Sequence, residues 1–341
     1  MALSETLPRL WYRRGLALPL LPLVPVSWLF GALSGLRRAA YRAGLVRSER
    51  LPVPVVVVGN LIAGGAGKTP LTLWLVEALR IRGWRPGIVS RGYGAEVTVP
   101  QLVDPAAEAG ECGDEPLLLA RRSGVPVAVC RDRVAAARTL LDTHPDCNVI
   151  IADDGLQHYR LARDVELAIF DGRGAGNGRL LPAGPLREPM DRLRRVDAVV
   201  LNGVAALPDI PVGVPCHQMR LDGARFVALN DARRSCSASD LSGLALHAYA
   251  GIGDPGRFFR HLETLGLRFE PHPFPDHHLF SATDFAPAQG GVVLLTEKDA
   301  VKCAGLFDGE AWVLPVSAEI DLGQSGLIER ILEKLNGRKA A

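Results

Sequence analysis

Beyond residue 50, short runs of apolar residues alternate with longer stretches of helical hydrophobic spacing. The runs have the length and β-branched content of buried strands, and we predict strands at residues 53–58, 87–90, 125–130, 149–152, 165–170 and 198–201. Helical spacing predicts helices at residues 71–82 and 134–143. Buried strands separated by helices indicate an α/β fold with a doubly wound, mostly parallel sheet. In such sheets, ligands bind beyond the carboxyl ends of the strands.

A second, smaller α/β domain is predicted after a stretch rich in proline and glycine at residues 207–215, which is typical of a linker. Beyond it, apolar runs predict strands at 246–251 and 292–296, and residues 258–265 have helical spacing. We therefore divide the chain into three parts: an apolar and basic segment (1–48), a larger α/β domain (49–206) and a smaller one (207–335).

Residues 15–36 carry no charge and are flanked by Arg13, Arg14, Arg37 and Arg38. As a helix they would span about 33 Å, enough to cross a bilayer core. Three prolines interrupt the first half, and the basic residues on both flanks give no orientation. We prefer a segment that lies in or dips into the cytoplasmic membrane face, with arginines on anionic head groups. A spanning helix, a signal peptide and a helix packed in the core are the alternatives.

Charge and cysteine content exclude several classes of protein. The chain has 341 residues, 48% of them hydrophobic, which is ample for a core. Residues 1–50 hold eight arginines and two glutamates, a net +6, so the remainder carries −4 of the total of +2. This local basic character argues against a general nucleic-acid binder. The six cysteines lack C-x-x-C spacing and indicate free thiols in a reducing compartment. No feature predicts an obligate protein partner.

The first predicted strand leads into a glycine-rich turn that ends in Lys68 and Thr69, with a helical pattern after it. Such a turn lets backbone N–H groups converge on phosphate oxygens at the start of a helix. Lys68 can reach the β- and γ-phosphates, and the Thr69 hydroxyl can ligate Mg²⁺. The usual pattern has glycine where Ile62 stands. The loop predicted to bind the nucleotide consists of Ile62, Ala63, Gly64, Gly65, Ala66, Gly67, Lys68 and Thr69.

Two acids, Asp153 and Asp154, end the predicted strand at 149–152. A carboxylate at a strand tip beside a phosphate loop can bind Mg²⁺, directly or through water. The alternative is a pair of capping or loop acids. His158 follows closely and would lie near the same tip, although a lone histidine is more often structural.

Three further segments carry polar residues suited to a phosphate or sugar site. Arg91 lies in a glycine-rich turn, a setting that suits phosphate or sugar contacts. Asp114 and Glu115 open an apolar helix, where they could simply cap it. Arg187 and Glu188 lie on a proline-rich loop. Taken alone, each segment is equally compatible with an ordinary surface role.

Seven motifs follow one another along the chain. They are Gly59-Asn60 with Gly64-Gly65-Ala66-Gly67-Lys68-Thr69-Pro70, Ser90-Arg91-Gly92-Tyr93-Gly94, Gly113-Asp114-Glu115-Pro116, Asp153-Asp154-Gly155-Leu156-Gln157-His158, Leu181-Pro182-Ala183-Gly184-Pro185-Leu186-Arg187-Glu188, Asp276-His277 and Thr296-Glu297-Lys298-Asp299-Ala300-Val301-Lys302. In this order they resemble the tetraacyldisaccharide 4′-kinase family, the lipid A kinases of Gram-negative bacteria. The resemblance covers nearly the whole chain, and that family tolerates a residue other than glycine at Ile62.

The resemblance implies a two-domain α/β protein at the cytoplasmic face of the inner membrane. It implies transfer of the ATP γ-phosphoryl group to the 4′-hydroxyl of a tetraacylated glucosamine disaccharide 1-phosphate. The family's catalytic acid–base pair maps onto Asp114 and His277, and its nucleotide site onto Lys68 and Thr69. From the resemblance and the motifs we predict catalytic roles for Asp114, His277 and Lys68, metal contacts from Thr69, Asp153, Asp154 and Glu188, and substrate contacts from Asn60, Arg91, His158 and Arg187.

The predicted catalytic pair comes from both predicted domains. Asp114 is in the first predicted domain and His277 in the second, so joint action requires the domains to close over the substrate. A positioned carboxylate can take the proton of a sugar hydroxyl, and a neighbouring imidazole can orient that carboxylate.

A membrane-recruited switch ATPase is the main alternative function, although the phosphate loops of such ATPases usually carry lysine where this chain has Ala63. A soluble small-molecule kinase with residues 15–36 in its core is the other.

Overall fold

The computed structural model describes residues 3–13, 15–320 and 326–339. Fifteen strands in this part of the chain form two sheets, and the predicted α/β fold class is confirmed. In chain order the strands are β1 (Val55–Gly59), β2 (Pro86–Ser90), β3 (Gln101–Leu102), β4 (Val127–Val129), β5 (Val149–Asp153), β6 (Val165–Asp171), β7 (Ala198–Asn202), β8 (Cys216–Asp222), β9 (Arg225–Ala228), β10 (Asp231–Ser237), β11 (Leu246–Ala250), β12 (Glu270–Pro273), β13 (Val292–Thr296), β14 (Ala311–Leu314) and β15 (Ser317–Ile320).

Helices cover both sheets and form the amino terminus. The α-helices of the described residues are α1 (Leu3–Trp11), α2 (Val24–Arg42), α3 (Lys68–Arg80), α4 (Ala109–Cys112), α5 (Asp114–Ser123), α6 (Arg133–Thr143), α7 (Ala238–Leu241), α8 (Pro255–Thr264), α9 (Glu297–Cys303) and α10 (Leu327–Lys339). Short 3₁₀ helices lie at Leu18–Leu23, Met190–Arg195 and Ala282–Ala288.

The larger sheet has nine strands in the order β15-β8-β7-β6-β1-β5-β2-β4-β3. Its seven inner strands are all parallel, and the two edge strands, β15 and β3, are antiparallel to their neighbours. Every residue of β1 is buried, because helices cover both faces of the sheet there. The carboxyl ends of β1 and β5, which are adjacent, carry the phosphate loop and Asp153.

The smaller sheet has six strands in the order β10-β9-β14-β13-β11-β12. It is built entirely from residues between β8 and β15, so the chain leaves the larger sheet and later returns to it. Helix α10 then packs Leu327, Ile331 and Leu335 into the core of the larger sheet. The domain boundary near residue 207 stays a prediction. The strand order shows that residues 216–222 and 317–320, which follow that boundary in the chain, belong to the larger sheet.

The amino-terminal segment is only partly packed against the remainder of the protein. The stretch Leu18–Arg42 is long and apolar enough to cross a membrane, and only 17% of its most apolar window is buried. Leu20 and Ser27 are buried, and the Ser27 hydroxyl donates to the Leu180 carbonyl and accepts from the Ala183 N–H, both at 2.9 Å. Arg14, which we expected to flank this stretch, lies outside the described residues.

Candidate functional site

The phosphate loop joins β1 to the start of α3 at Lys68. Gly64 and Gly67 have φ of +95° and +100°, a backbone region that side chains other than glycine rarely adopt. Asparagine side chains fix two loop carbonyls: Asn60 Nδ2 donates to Gly64 O and Asn202 Nδ2 to Ala66 O, both at 2.9 Å. The loop is thus held in one conformation from both sides, with Lys68 at the first position of the helix.

Ile62, the residue that departs from the usual loop pattern, is fully buried. It forms a β-bridge with Leu186, and the next residue, Ala63, donates its N–H to the Pro185 carbonyl at 2.8 Å. The side chain therefore packs the first half of the phosphate loop against the loop at 180–188. Glycine here would leave a cavity instead of an apolar contact.

Lys68 connects the phosphate loop to the tip of β5. Its Nζ lies 3.7 Å from Asp154 Oδ1, and Arg187 Nη1 lies 3.0 Å from the same oxygen. Asp153 is fully buried and accepts from the Thr72 hydroxyl at 3.3 Å, while its other oxygen, Oδ2, has no described hydrogen-bond partner. The structure thus brings the predicted loop lysine and both predicted acids together, with one carboxylate oxygen left free to bind a cation.

The two acids differ in their protonation. Burial, followed by the charge of Glu115, raises the pKa of Asp153 to about 7. Burial also opposes ionisation of Asp154, but the charges of Lys68 and Arg187 outweigh it and lower that pKa to about 2. A bound cation would favour the ionised form of Asp153 in the same way as a neighbouring lysine.

The remaining predicted contacts lie around the same edge of the sheet. Asn60 is buried and its described side-chain bond is to the loop. Burial, followed by the charge of Arg133, lowers the pKa of His158 to about 4, so this imidazole is neutral near pH 7. Glu188 is buried and accepts from the Tyr159 hydroxyl at 2.6 Å, with Arg38 3.6 Å away.

Asp114 and His277 meet across the two domains. Asp114 is the first residue of α5, after Gly113, and is 4% exposed. His277 Nδ1 lies 2.9 Å from Asp114 Oδ2 and 3.1 Å from Oδ1. Burial would raise the pKa of Asp114, but the hydrogen bond from His277 and the charge of Lys298 hold it below its usual value. The carboxylate is therefore ionised at neutral pH.

Two lysines of α9, given no role from the sequence, complete this contact. Lys298 Nζ lies 3.3 Å from His277 Nε2 and 3.0 Å from both Glu115 Oε1 and Asp276 Oδ1. Lys302 Nζ lies 3.9 Å from Asp114 Oδ2. Since lysine only donates, Nε2 of His277 accepts and Nδ1 carries the proton given to Asp114. Both lysines belong to the last of the seven sequence motifs, and that motif was the signal from which they could have been predicted.

Two clefts meet at the start of α5. The first, about 720 Å³, is lined by the phosphate loop, including Lys68 and Thr69, and by apolar residues of both domains. The second, about 510 Å³, lies between α2 and the tip of β5 and includes Arg91, Arg187 and Glu188. Glu115 lines both clefts and stands next to Asp114. Asp114 and His277 line neither cleft themselves, so Glu115 is the residue that connects the pair to both clefts.

Comparisons with known proteins identify the family. A family model described as Tetraacyldisaccharide-1-P 4′-kinase matches residues 20–336. The tetraacyldisaccharide 4′-kinase of Dechloromonas aromatica (strain RCB) is 54% identical, covering 99% of this chain and 100% of that relative. The protein of the same name from Janthinobacterium sp. (strain Marseille) is 53% identical, covering 99% and 98%.

A solved structure matches as well. It is the "apo" form of LpxK from Aquifex aeolicus in complex with ATP, with a TM-score of 0.80 and 31% identity over 93% of this chain and 100% of that one. The matches span nearly the whole chain, so the predicted family resemblance and the prediction of a kinase are confirmed, and the switch-ATPase alternative loses its support. This chain belongs to the tetraacyldisaccharide 4′-kinase family.

Proposed function

We propose that this kinase transfers the γ-phosphoryl group of ATP to the 4′-hydroxyl of a tetraacyldisaccharide 1-phosphate, a step of lipid A biosynthesis at the cytoplasmic face of the inner membrane. The observation that carries the proposal is the contact between Asp114 and His277 beside the junction of two clefts. The first cleft has the character of a nucleotide site, and the second lies against the apolar amino-terminal helix.

The donor site is the first cleft. Loop N–H groups, the start of α3 and Lys68 supply the positive potential that triphosphate oxygens need. Apolar side chains such as Leu73 and Phe258 line the same cleft and suit a purine base. The complex of the Aquifex aeolicus relative with ATP supports the assignment.

Mg²⁺ fits the tip of β5. Asp153 offers a buried carboxylate oxygen without a described hydrogen-bond partner, Asp154 is ionised and lines the second cleft, and Thr69 lines the first cleft. Oxygen donors of this kind are the ligands that Mg²⁺ prefers. When bound by Thr69, Asp153 and Asp154, the ion would neutralise charge on the phosphate oxygens. Glu188 lines the second cleft, as Asp154 does, and is a further candidate ligand.

The acceptor site is the second cleft. Phe30 and Leu33 of α2 line it on one side, while Arg37, Arg91 and Arg187 supply positive charge. An acylated sugar that carries a phosphate presents apolar chains and an anion, which these two kinds of lining complement. The exposed face of α2 would deliver such a lipid from the membrane surface. His158 and Asn60 lie beside this region as further candidate contacts.

The chemistry follows from the charge state of the pair. The acceptor oxygen attacks the γ-phosphorus while the bond to the ADP oxygen breaks, and Asp114 takes the proton of the hydroxyl as the new bond forms. The N–H of His277 holds the Asp114 carboxylate in place, and Lys298 fixes the tautomer of that imidazole. Lys68 stabilises negative charge that develops on the transferring group.

Transfer of labelled γ-phosphate from ATP to a tetraacyldisaccharide 1-phosphate tests the proposal. Asp114→Asn should lower kcat by about 10²–10⁴-fold, the usual contribution of a positioned base. Lys68→Ala should abolish transfer, whereas Asp142→Asn, a matched change at an exposed carboxylate of α6, should have no effect. ATP hydrolysis by the natural sequence without any labelled lipid would refute the proposal.

A further inference from the structure

Two histidines and a glutamate of the second domain converge at the edge of its sheet. His247 lies on β11, and Glu270 and His272 lie on β12, the outermost strand. The strands are parallel, with His247 opposite Glu270, and alternate residues of a strand share a face. All three side chains therefore project from one face of the sheet. None of them lines either cleft.

The spacing of the ligand atoms suits one metal ion. His247 Nδ1 lies 3.1 Å from His272 Nε2 and 3.5 Å from Glu270 Oε2, and the three groups' ligand atoms lie within 4.8 Å of one another. Tetrahedral Zn²⁺ with bonds of about 2.0–2.1 Å places neighbouring ligand atoms about 3.3 Å apart. The two imidazoles are already at that separation, and Glu270 has an exposed, adjustable side chain.

Hydrogen bonds among the three side chains do not satisfy all of their polar atoms. His247 Nδ1 faces both His272 and the Glu270 carboxylate, but a ring nitrogen carries at most one proton. A single cation would satisfy all three groups at once. Tyr249 is fully buried nearby, and its ring stacks on that of His272 with 4.4 Å between the ring centroids. Its hydroxyl has no described hydrogen-bond partner.

The surroundings leave room for the site and access to it. A Cβ at position 291 would lie 2.8 Å from His247 Cδ2, so Gly291 lets the imidazole occupy its position. The side chains of His247 and His272 are 12% and 14% exposed, while that of Glu270 is 62% exposed. An ion could enter from the Glu270 side and keep water at its remaining position.

We propose that His247, Glu270 and His272 bind one divalent transition-metal ion, with Zn²⁺ the best match to two imidazoles and a carboxylate. The ion would cross-link β11 to the edge strand β12, which leads directly into the loop that carries Asp276 and His277. The Phe274 N–H already donates to the Ala250 carbonyl at 2.8 Å. The metal therefore serves as a structural clamp behind this loop.

Zn²⁺ titration of the full chain against a colorimetric chelator tests the proposal. Excess Mg²⁺ is added to occupy sites made of oxygen ligands. Every protein tested also carries Cys216→Ser, which removes an exposed thiol that could bind Zn²⁺. We expect one Zn²⁺ per chain, and His272→Ala should weaken binding more than about 100-fold, beyond the loss usual for an outer-shell change. Glu270→Gln, an isosteric change at an exposed side chain, should weaken it at least about tenfold. His144→Ala, a partly exposed histidine of the first domain, should leave it unchanged.

Thermal unfolding supplies a second readout that does not depend on kinase activity. Zn²⁺ should raise the Tm of the parent chain and of His144→Ala, but not that of His272→Ala. Zn²⁺ affinity that is the same in the parent, His272→Ala and Glu270→Gln would overturn the proposal. If the His272 variant does not fold, Glu270→Gln alone decides the outcome.

Discussion

Asp153 and Asp154 are adjacent in sequence, but their carboxyl groups lie in opposite electrostatic surroundings. Asp153 points into the protein beneath α3, where burial raises its pKa to about 7. Asp154 adopts a left-handed backbone conformation, with φ of +47°, that places its carboxylate beside Lys68 and Arg187. One acid is thus a permanent anion at neutral pH, while the other titrates within the physiological range.

Replacing Asp153 with asparagine should stabilise the metal-free protein at high pH. The folded pKa of about 7 exceeds the usual unfolded value of about 3.9, so the folded state binds more protons between them and stability falls as pH rises through that window. Asp153→Asn removes this loss and should raise the free energy of unfolding at pH 8 by about 1–4 kcal/mol. Urea unfolding in chelator at pH 4 and pH 8 measures it, with Asp142→Asn as the control. An equal pH dependence in both variants would contradict the assignment.

Replacing Lys298 with methionine should shift the acid limb of the pH–activity profile upward. The charge of Lys298 helps to hold the pKa of Asp114 down, so its loss raises that pKa. A base must be ionised to act, and activity would then fall at a higher pH than in the natural sequence. Profiles of kcat/KM between pH 4 and about 8 test this. Lys334 of α10 forms an ion pair with Asp197, and Lys334→Met, which breaks that pair, should leave the acid limb in place.

Replacing Gly67 with alanine should abolish nucleotide binding and weaken the fold. The new Cβ would stand 2.3 Å from Asn202 Nδ2, and the φ of +100° is unfavourable for any side chain. Such strain costs about 1–3 kcal/mol before the clash is added. Gly65→Ala is the matched control for stability, because nothing lies within 4 Å of a Cβ at that position. Equal Tm values for the two variants would show that the loop relaxes freely.

Polar substitutions on the exposed face of α2 should release the protein from membranes. Trp28, Leu33 and Leu36 are 68%, 60% and 69% exposed, although each is large and apolar. If they enter lipid, each contributes roughly 1.5–3 kcal/mol, so replacing all three with glutamine should weaken binding to anionic vesicles well over tenfold. Co-sedimentation measures the change. Leu45→Gln, an exposed leucine beyond the helix, is the control; equal binding by both would place the attachment elsewhere.

The buried centre of the larger sheet was predictable, whereas the more exposed strands of the two sheets were not. Strands β1 and β5 are buried on both faces and each contains four consecutive apolar residues, so their positions follow from the chain alone. Strand β10 is largely exposed and contains two adjacent arginines, and β8 alternates buried and exposed residues with few apolar side chains. Neither pattern separates a strand from a loop.

The phosphate loop and the acids after β5 carried their own local signals. The partnership of Asp114 with His277 did not, because 163 residues separate them and only the family resemblance paired them. Lys298 was within reach of the sequence, since it stands in the last motif, but its contacts depend on α9 packing beside α5. Roles that rest on contacts between distant segments thus need the fold.

The return of the chain to the larger sheet constrains how this kinase can be made. Strand β15 and helix α10 are added to the nucleotide-binding core after the whole second sheet has been synthesised. Arg338, near the end of α10, pairs with Asp164 and donates to the Val53 carbonyl beside β1. During translation the core of the larger sheet therefore stays unfinished until α10 has left the ribosome. Removal of the 13 residues of α10 would expose the apolar core of the larger sheet that α10 covers.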